Sequence, residues 1–450
     1  MTTELARQAP TMAPVTTDAG QLARRLERLR ALDRRLVLAA ELPPPPPRPS
    51  FADPKERAER LASGLGGRVE SMPAGPVVVI ERRTPLPVVL EPLRQLPYPV
   101  DPARPMVSLD TETTGLGSAS GTVAFLIGVG SWQGTDFVTH QLVMADHADE
   151  PALLQALDAR ITPDAWLVTY NGRSFDWPLL DTRYRMYRRR APAHAGHLDL
   201  LPIARQVWKH RLPDARLASV EAAVAGVERH EELPGAMIPD RFFGWLRSGR
   251  PELLTDVLDH NREDVVSLGR LLGVLAEVLA DPVRRRAEHP GDIAGLARAY
   301  ERSGRTAEAL ACYGEALGAW DVDDRQPSRL EWADVAADGA RLLSKLHRHE
   351  DAEAAWLDVA ARGGGSAVWA WIAVAKIREH KRRDVHGALE AAELARAIVE
   401  RRRAVGVPLR AAERDLSRRL RRLRRRAQPS QPPSTVDRSG RMPEGVASGA

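Results

Sequence analysis

Val107-Ser-Leu-Asp-Thr-Glu-Thr-Thr-Gly-Leu116 begins as an apolar run, carries two acids, and ends in a Thr-Thr-Gly turn. Asp110 and Glu112 stand two apart on what reads as a strand, so both side chains leave from one face and can share a metal ion. Two surface acids on an edge strand would share that spacing, but the apolar run before them and the turn after them mark a strand end. A second acid-bearing stretch is Trp166-Leu-Val-Thr-Tyr-Asn-Gly-Arg-Ser-Phe-Asp-Trp-Pro-Leu-Leu180, with Asp176 where a strand gives way to a helix. That position suits a helix N-cap as well as a ligand, with Pro178 close to the first helical position. The third, Asp259-His-Asn-Arg-Glu-Asp-Val-Val-Ser-Leu268, places His260 and Asp264 four apart on one helix face. A solvated face would look like this too, yet Val257, Leu258, Val265, Leu268, Leu271 and Leu272 bury much of the helix. Acids gathered at the ends of buried elements have few uses beyond holding divalent ions against a phosphodiester.

Around these stretches the pattern alternates. Met106 to Glu112, Ala124 to Trp132 and Asp136 to Val143 read as three strands of an antiparallel meander, with Gln133-Gly134 in one turn. A helix near Glu150 to Ile161, a buried strand from Trp166 to Tyr170 and a helix from Phe175 to Arg188 supply the crossover of a mixed sheet. Helices follow at Leu200 to Trp208, Leu217 to Ala225, Pro239 to Arg247 and Leu253 to Leu279. Beyond Pro282, Ala-rich helical hairpins begin, and Leu296, Tyr300, Gly304, Ala309, Tyr313 and Ala316 fit a tetratricopeptide template. Ala352, Trp356 and Val359 suggest a second copy, and Ala388, Ala392 and Ala395 a degenerate third.

The expected organisation is an N-terminal helix and Pro-rich linker over 1–50, a small adaptor over 51–100, and the acid-bearing domain over 101–282. A helical domain over 283–426 and a disordered tail over 427–450 complete it. Leucines from Leu22 to Leu36 carry the first helix, Pro43 to Pro47 break it, and Val77 to Glu81 reads as a strand of the adaptor. Arg401 to Arg426 is strongly basic and reads as a capping helix or a nucleic-acid contact.

With 450 residues, 43% of them hydrophobic, the chain can bury two cores. One cysteine, Cys312, excludes disulfide frameworks and thiolate zinc sites. No early apolar run is long enough to cross a bilayer, and a cytoplasmic location with no membrane contact is expected. The net charge of +5 carries little information, because an Arg-for-Lys skew also follows from a GC-rich genome.

Taken together, the three acid-bearing stretches resemble the DEDD exonucleases of the DnaQ type, within the RNase H-like fold. Leu198-Asp-Leu-Leu-Pro202, Leu233-Pro-Gly-Ala-Met-Ile-Pro239 and His260-Asn-Arg-Glu-Asp264 are similar to the YprB-like bacterial proteins, which join such a domain to tetratricopeptide-like helices. The resemblance implies an α/β fold with a mixed five-stranded sheet and flanking helices, followed by an all-α domain. It also implies a 3′–5′ exonuclease cutting single-stranded nucleic-acid ends, with Asp110, Glu112, Asp176 and Asp264 as ligands of two Mg²⁺ or Mn²⁺ ions. Asp110 would bridge the ions, Glu112 and Asp264 would complete the water-activating site, and Asp176 would help hold the second. Thr113, Gly115 and Leu116 would border the terminal nucleotide, Asn171 would fix a loop or touch substrate, and Arg173 would meet phosphate. The helical domain offers a surface for a protein partner. One departure stands out: His260 takes the position that a tyrosine holds in one branch, and the histidine of the other branch lies one residue earlier. A single step along a helix turns a side chain by about 100°, so its reach toward an attacking water, as general base or orienting donor, has to come from the structure.

Overall fold

A computed structural model describes residues 53–115, 121–229, 233–320 and 330–428. The expected leucine helix, most of the Pro-rich stretch and nearly all of the C-terminal tail lie outside these residues, as does Leu116.

The chain first forms α1 (Pro54–Leu65), then the hairpin β1 (Arg68–Met72) and β2 (Gly75–Pro85). β3 (Met106–Thr113), β4 (Ala124–Gln133) and β5 (Asp136–Val143) follow as the expected antiparallel meander. After α2 (Glu150–Asp158), β6 (Trp166–Thr169) returns parallel to β3, and after α3 (Asp176–Met186), β7 (Gly196–Asp199) lies parallel to β6. The sheet order is β1-β2-β5-β4-β3-β6-β7.

Seven strands replace the five expected. The two outer strands were hidden for a physical reason: β1 is Arg-Val-Glu-Ser-Met, and β7 is four residues with two polar ones. Neither has an apolar run of its own, and each owes its conformation to pairing with a neighbour. β2 pairs antiparallel with β5 along eight residues from Val78 to Pro85, so much of the supposed adaptor is the sheet's own edge. α1 buries Leu61, Ala62 and Leu65 against that extension.

α4 (Leu200–Val207), α5 (Leu217–Ala225), α6 (Ile238–Ser248) and α7 (Thr255–Gly273) complete the α/β unit. α7 crosses β3, β4 and β5 at close range. Two glycines on β4 make this approach possible. A Cβ at Gly128 would stand 2.3 Å from Asn261 Oδ1, and one at Gly130 would stand 2.6 Å from the Val265 side chain. Any side chain there would push α7 off the sheet, at a cost of about 1–3 kcal/mol for overpacking alone.

The helical region comprises α8 (Pro282–Arg285), α9 (Pro290–Arg302), α10 (Thr306–Trp320), α11 (Trp332–Lys345), α12 (His349–Arg362), α13 (Ala367–Ile377), α14 (Val385–Ala404) and α15 (Arg410–Ala427). From α9 onward each helix packs on its successor. The first hairpin shares its core with the α/β unit, since Val207, Trp208 and Leu271 pack in one cluster with Ile293, Leu296 and Tyr313. A separate core, built on Trp356, Ile372, Ala392 and Leu416, holds the later helices. No helix among the described residues is long and apolar enough to cross a membrane.

Candidate active site

The site forms where the end of β3 meets α7. Register places Asp110 opposite Gly128 on β4, and Gly128 opposite Gln141 on β5. Because Gly128 has no side chain, Asn261 descends from α7 onto this row. Its amide donates to Asp110 Oδ2 at 2.9 Å, while Gln141 Nε2 donates to Asn261 Oδ1 at 3.1 Å and to the Leu258 carbonyl at 2.7 Å. Asn261 is 0% exposed, so its orientation, and through it that of the Asp110 carboxylate, is fixed by neighbours.

Asp176 opens α3 without capping it. Its Oδ1 accepts from the Thr111 hydroxyl at 2.5 Å, which ties the second acid-bearing stretch to β3. The N-cap reading therefore does not hold for Asp176, whereas it holds for Asp199. Asp199 Oδ1 accepts from the Leu201 N–H at the start of α4 and from the Asn171 N–H at 2.8 Å, and Oδ2 accepts from the Arg173 N–H at 3.2 Å. One carboxylate thus caps a helix and pins the turn that delivers Asp176. Asn171 takes φ 68°, a left-handed conformation that Asn tolerates better than most residues. The bond to Asp199 is made by its backbone N–H. Arg173 projects exposed from the same turn.

Asp264 and His260 share a face of α7, as their spacing requires. His260 Nε2 lies 3.7 Å from Asp264 Oδ2 and 4.0 Å from Glu112 Oε1, so the imidazole stands between acids from two elements. The other oxygen, Asp264 Oδ1, is taken by Arg229 Nη1 at 2.5 Å. Arg229 also donates to Glu221 Oε2 at 3.0 Å and to the Ser267 hydroxyl at 3.1 Å, and Arg270 closes the chain on Glu221 Oε1 at 2.5 Å. Asp264 is therefore held by Arg229 on Oδ1 and faces His260 with Oδ2.

Electrostatics show that the four acids form one group. Burial pushes the Asp110 carboxyl well above the ordinary carboxylate range, and the charges of Asp264, Glu112 and Asp176 push it further. Glu112 is likewise raised by burial and then by Asp264 and Asp176. Asp176 is raised by burial, against the opposing hydrogen bond from Thr111. So much negative charge facing so little positive charge is the condition that a hard cation relieves, and carboxylate oxygens are its preferred donors.

Polar and aromatic residues around the acids have partners of their own. The Thr113 hydroxyl donates to the Gly115 carbonyl at 2.6 Å and so closes its own turn. Arg183 is buried against Glu150, with two bonds of 2.5 Å, and Arg189 pairs with Asp158, so neither is free for phosphate. Tyr184 is buried with its hydroxyl on the Leu154 carbonyl, and Trp132 packs edge-on against Phe137. Of the residues that reading the sequence overlooked, Asn261 had a signal: it sits between Val257 and Val265 at four-residue spacing on the buried stripe. Arg229 had none, being a loop residue thirty-five positions from its partner.

A second cluster lies elsewhere. Among the described residues, His210, His289 and Asp292 bring ligand atoms within 4.8 Å of one another. Their donors are already spent. Asp292 takes His210 Nε2 at 2.7 Å and Arg211 through Nε at 3.0 Å and Nη2 at 2.8 Å, while His289 Nδ1 accepts from the Gly291 N–H at the start of α9. A metal here would have to displace a guanidinium, and the donor set does not fit one.

Comparison with known proteins agrees with this geometry. The RNase_H superfamily matches residues 107–276, which begins inside β3 and ends just after α7. The Bacillus subtilis (strain 168) protein described as "Uncharacterized protein YprB" is 32% identical over 287 residues, covering 63% of this chain and 67% of that protein. The chain belongs to the YprB family. Its nuclease-like domain is that of the RNase H superfamily, and the YprB-family chain continues into the C-terminal helices described above. The fold brings with it an expectation of nucleic acid as ligand and of divalent metal at the acids.

Proposed function

We propose that this protein is a metal-dependent nuclease, acting as a 3′–5′ exonuclease on single-stranded ends. The observation that carries the reading is the convergence of Asp110, Glu112, Asp176 and Asp264 from β3, α3 and α7, close enough that the charges of the others push the Asp110 carboxyl upward. These four would hold two Mg²⁺ or Mn²⁺ ions, which when bound acidify a water and neutralise charge building on the phosphodiester. The chain's own residues prepare the place. Gln141 and Asn261 fix Asp110, Thr111 fixes Asp176, and Arg229 fixes Asp264. His260, between Glu112 and Asp264, accepts or aligns the proton of the attacking water. Arg173, exposed on its turn, would meet a substrate phosphate, and the turn of Thr113 and Gly115 would border the terminal nucleotide. The later helices are available to a protein partner or to the strand.

End-labelled single strands, duplexes and hybrids, incubated with Mn²⁺, Mg²⁺ or EDTA, test the reading. An Asp110→Ala/Glu112→Ala variant should lose about 10³-fold or more in rate, the scale of several kcal/mol of metal-derived stabilisation. Undiminished cleavage by that variant overturns the proposal. Internal products would replace it with an endonuclease, and tight binding without cleavage with a non-catalytic scaffold.

A further inference from the structure

Some exposed cations of this protein have an acid within one helical turn, as Arg348 has Asp351 and Arg396 has Glu393. The arginines of α15 divide: Arg419, Arg422 and Arg426 pair with Glu379, and Arg424 with Glu393. Arg410, Arg414, Arg418, Arg421 and Arg425 are all exposed, recur at spacings of four, four, three and four, and have no carboxylate within ion-pair distance among the described residues. They form a single stripe of about 22 Å at 1.5 Å per residue. Like charges three and four apart repel, so the stripe costs helix stability instead of adding to it. The opposite face is already occupied: Ala412, Leu416, Leu420 and Leu423 are buried in the distal helical core.

We infer that this stripe is a docking surface for the phosphate backbone of a nucleic-acid strand. A membrane-seated helix needs its large apolar side chains beside the charges, and those of α15 are turned inward. A protein interface draws most of its energy from a buried aromatic or aliphatic anchor, and no such residue stands on the stripe. A phosphodiester backbone asks only for evenly spaced positive charge. The inference rests on the nuclease reading solely for the identity of the polyanion.

The test uses the full chain carrying Asp110→Ala/Glu112→Ala, so that a labelled single strand of about 30 nucleotides survives during anisotropy titrations. Adding Arg414→Ala, Arg418→Ala, Arg421→Ala and Arg425→Ala should weaken binding at least tenfold near 0.1 M salt. It should also flatten the log K against log salt slope by about 2 to 3, at roughly 0.7 per lost contact. The matching four-Lys variant should retain both. Unchanged affinity and slope, or a loss confined to phosphatidylserine vesicles, overturns the inference. With the acids restored, the four-Ala chain should raise KM and leave kcat unaltered. A chain that binds through the stripe and cuts nothing counts against the nuclease alone, whereas cutting with an unaltered KM counts against the stripe.

Discussion

His210, His289 and Asp292 bring ligand atoms within 4.8 Å of one another, as no three of the four acids do among the described residues, yet the proposed function puts the metal on the looser group. The difference is counter-charge. Asp292 is fully buried and already carries Arg211 on both oxygens and His210 on one, so its cluster is a finished ion-pair joint between the end of α4 and the start of α9. At the end of β3, the four carboxylates meet Arg229 on one edge and the His260 imidazole between Glu112 and Asp264. A two-ion site also has no need for every ligand to crowd one point, since the ions themselves stand roughly 4 Å apart. Proximity of donor atoms is thus a weaker criterion than unrelieved charge.

The comparison can be broken most forcefully at the joint. Asp292→Ala strands Arg211 and His210 in the interior and should cost about 3–5 kcal/mol in guanidinium denaturation, with no recovery on adding Mn²⁺ or Zn²⁺. A loss below about 1 kcal/mol, or a stoichiometric metal-dependent gain that Asp292→Ala abolishes, would show that the joint is a metal site after all.

A smaller effect is expected at Arg229, the resident counter-ion of Asp264. Arg229→Ala should lower metal-free stability by about 2–3 kcal/mol, because Asp264 and Glu221 each lose a buried guanidinium. Mn²⁺ should then raise the melting temperature by more in the variant than in the parent chain, since the ion supplies the missing charge. Equal Mn²⁺ increments in the two proteins would deny Arg229 that role.

The smallest effect, and the one that sharpens the contrast, is on pH. The raised carboxyls of Asp110 and Glu112 keep protons that the unfolded chain has released above about pH 4. Metal-free stability should therefore fall as pH rises through and beyond that range. Asp110→Asn should flatten the profile and raise metal-free stability at neutral pH, and Mn²⁺ should reverse the trend in the parent chain. Thermal unfolding at a series of pH values in EDTA checks it; a profile that rises toward neutrality contradicts the repulsive site.

How much could be read in advance follows the range of the forces involved. β3, β4 and β5 were legible to within a residue at most ends, because alternation over eight to ten residues is a local signal. The spacings of Asp110 to Glu112 and His260 to Asp264 translate directly into shared faces. β1 and β7 were not legible, because their conformation comes from the strand beside them. The purpose of the glycines of β4 appears only with α7 lying on them.

The amino-acid sequence determined which chemistry is present: the acids, their order, and the periodicities that put each on the end of an element. Tertiary structure decided which charges remain unrelieved, through Asn261 reaching Asp110 across 151 positions, Arg229 reaching Asp264, and Arg211 quenching Asp292. Spacing along a chain fixes direction within one helix or strand. Electrostatic balance depends on every group within a few ångströms, and those groups arrive from anywhere in the polymer.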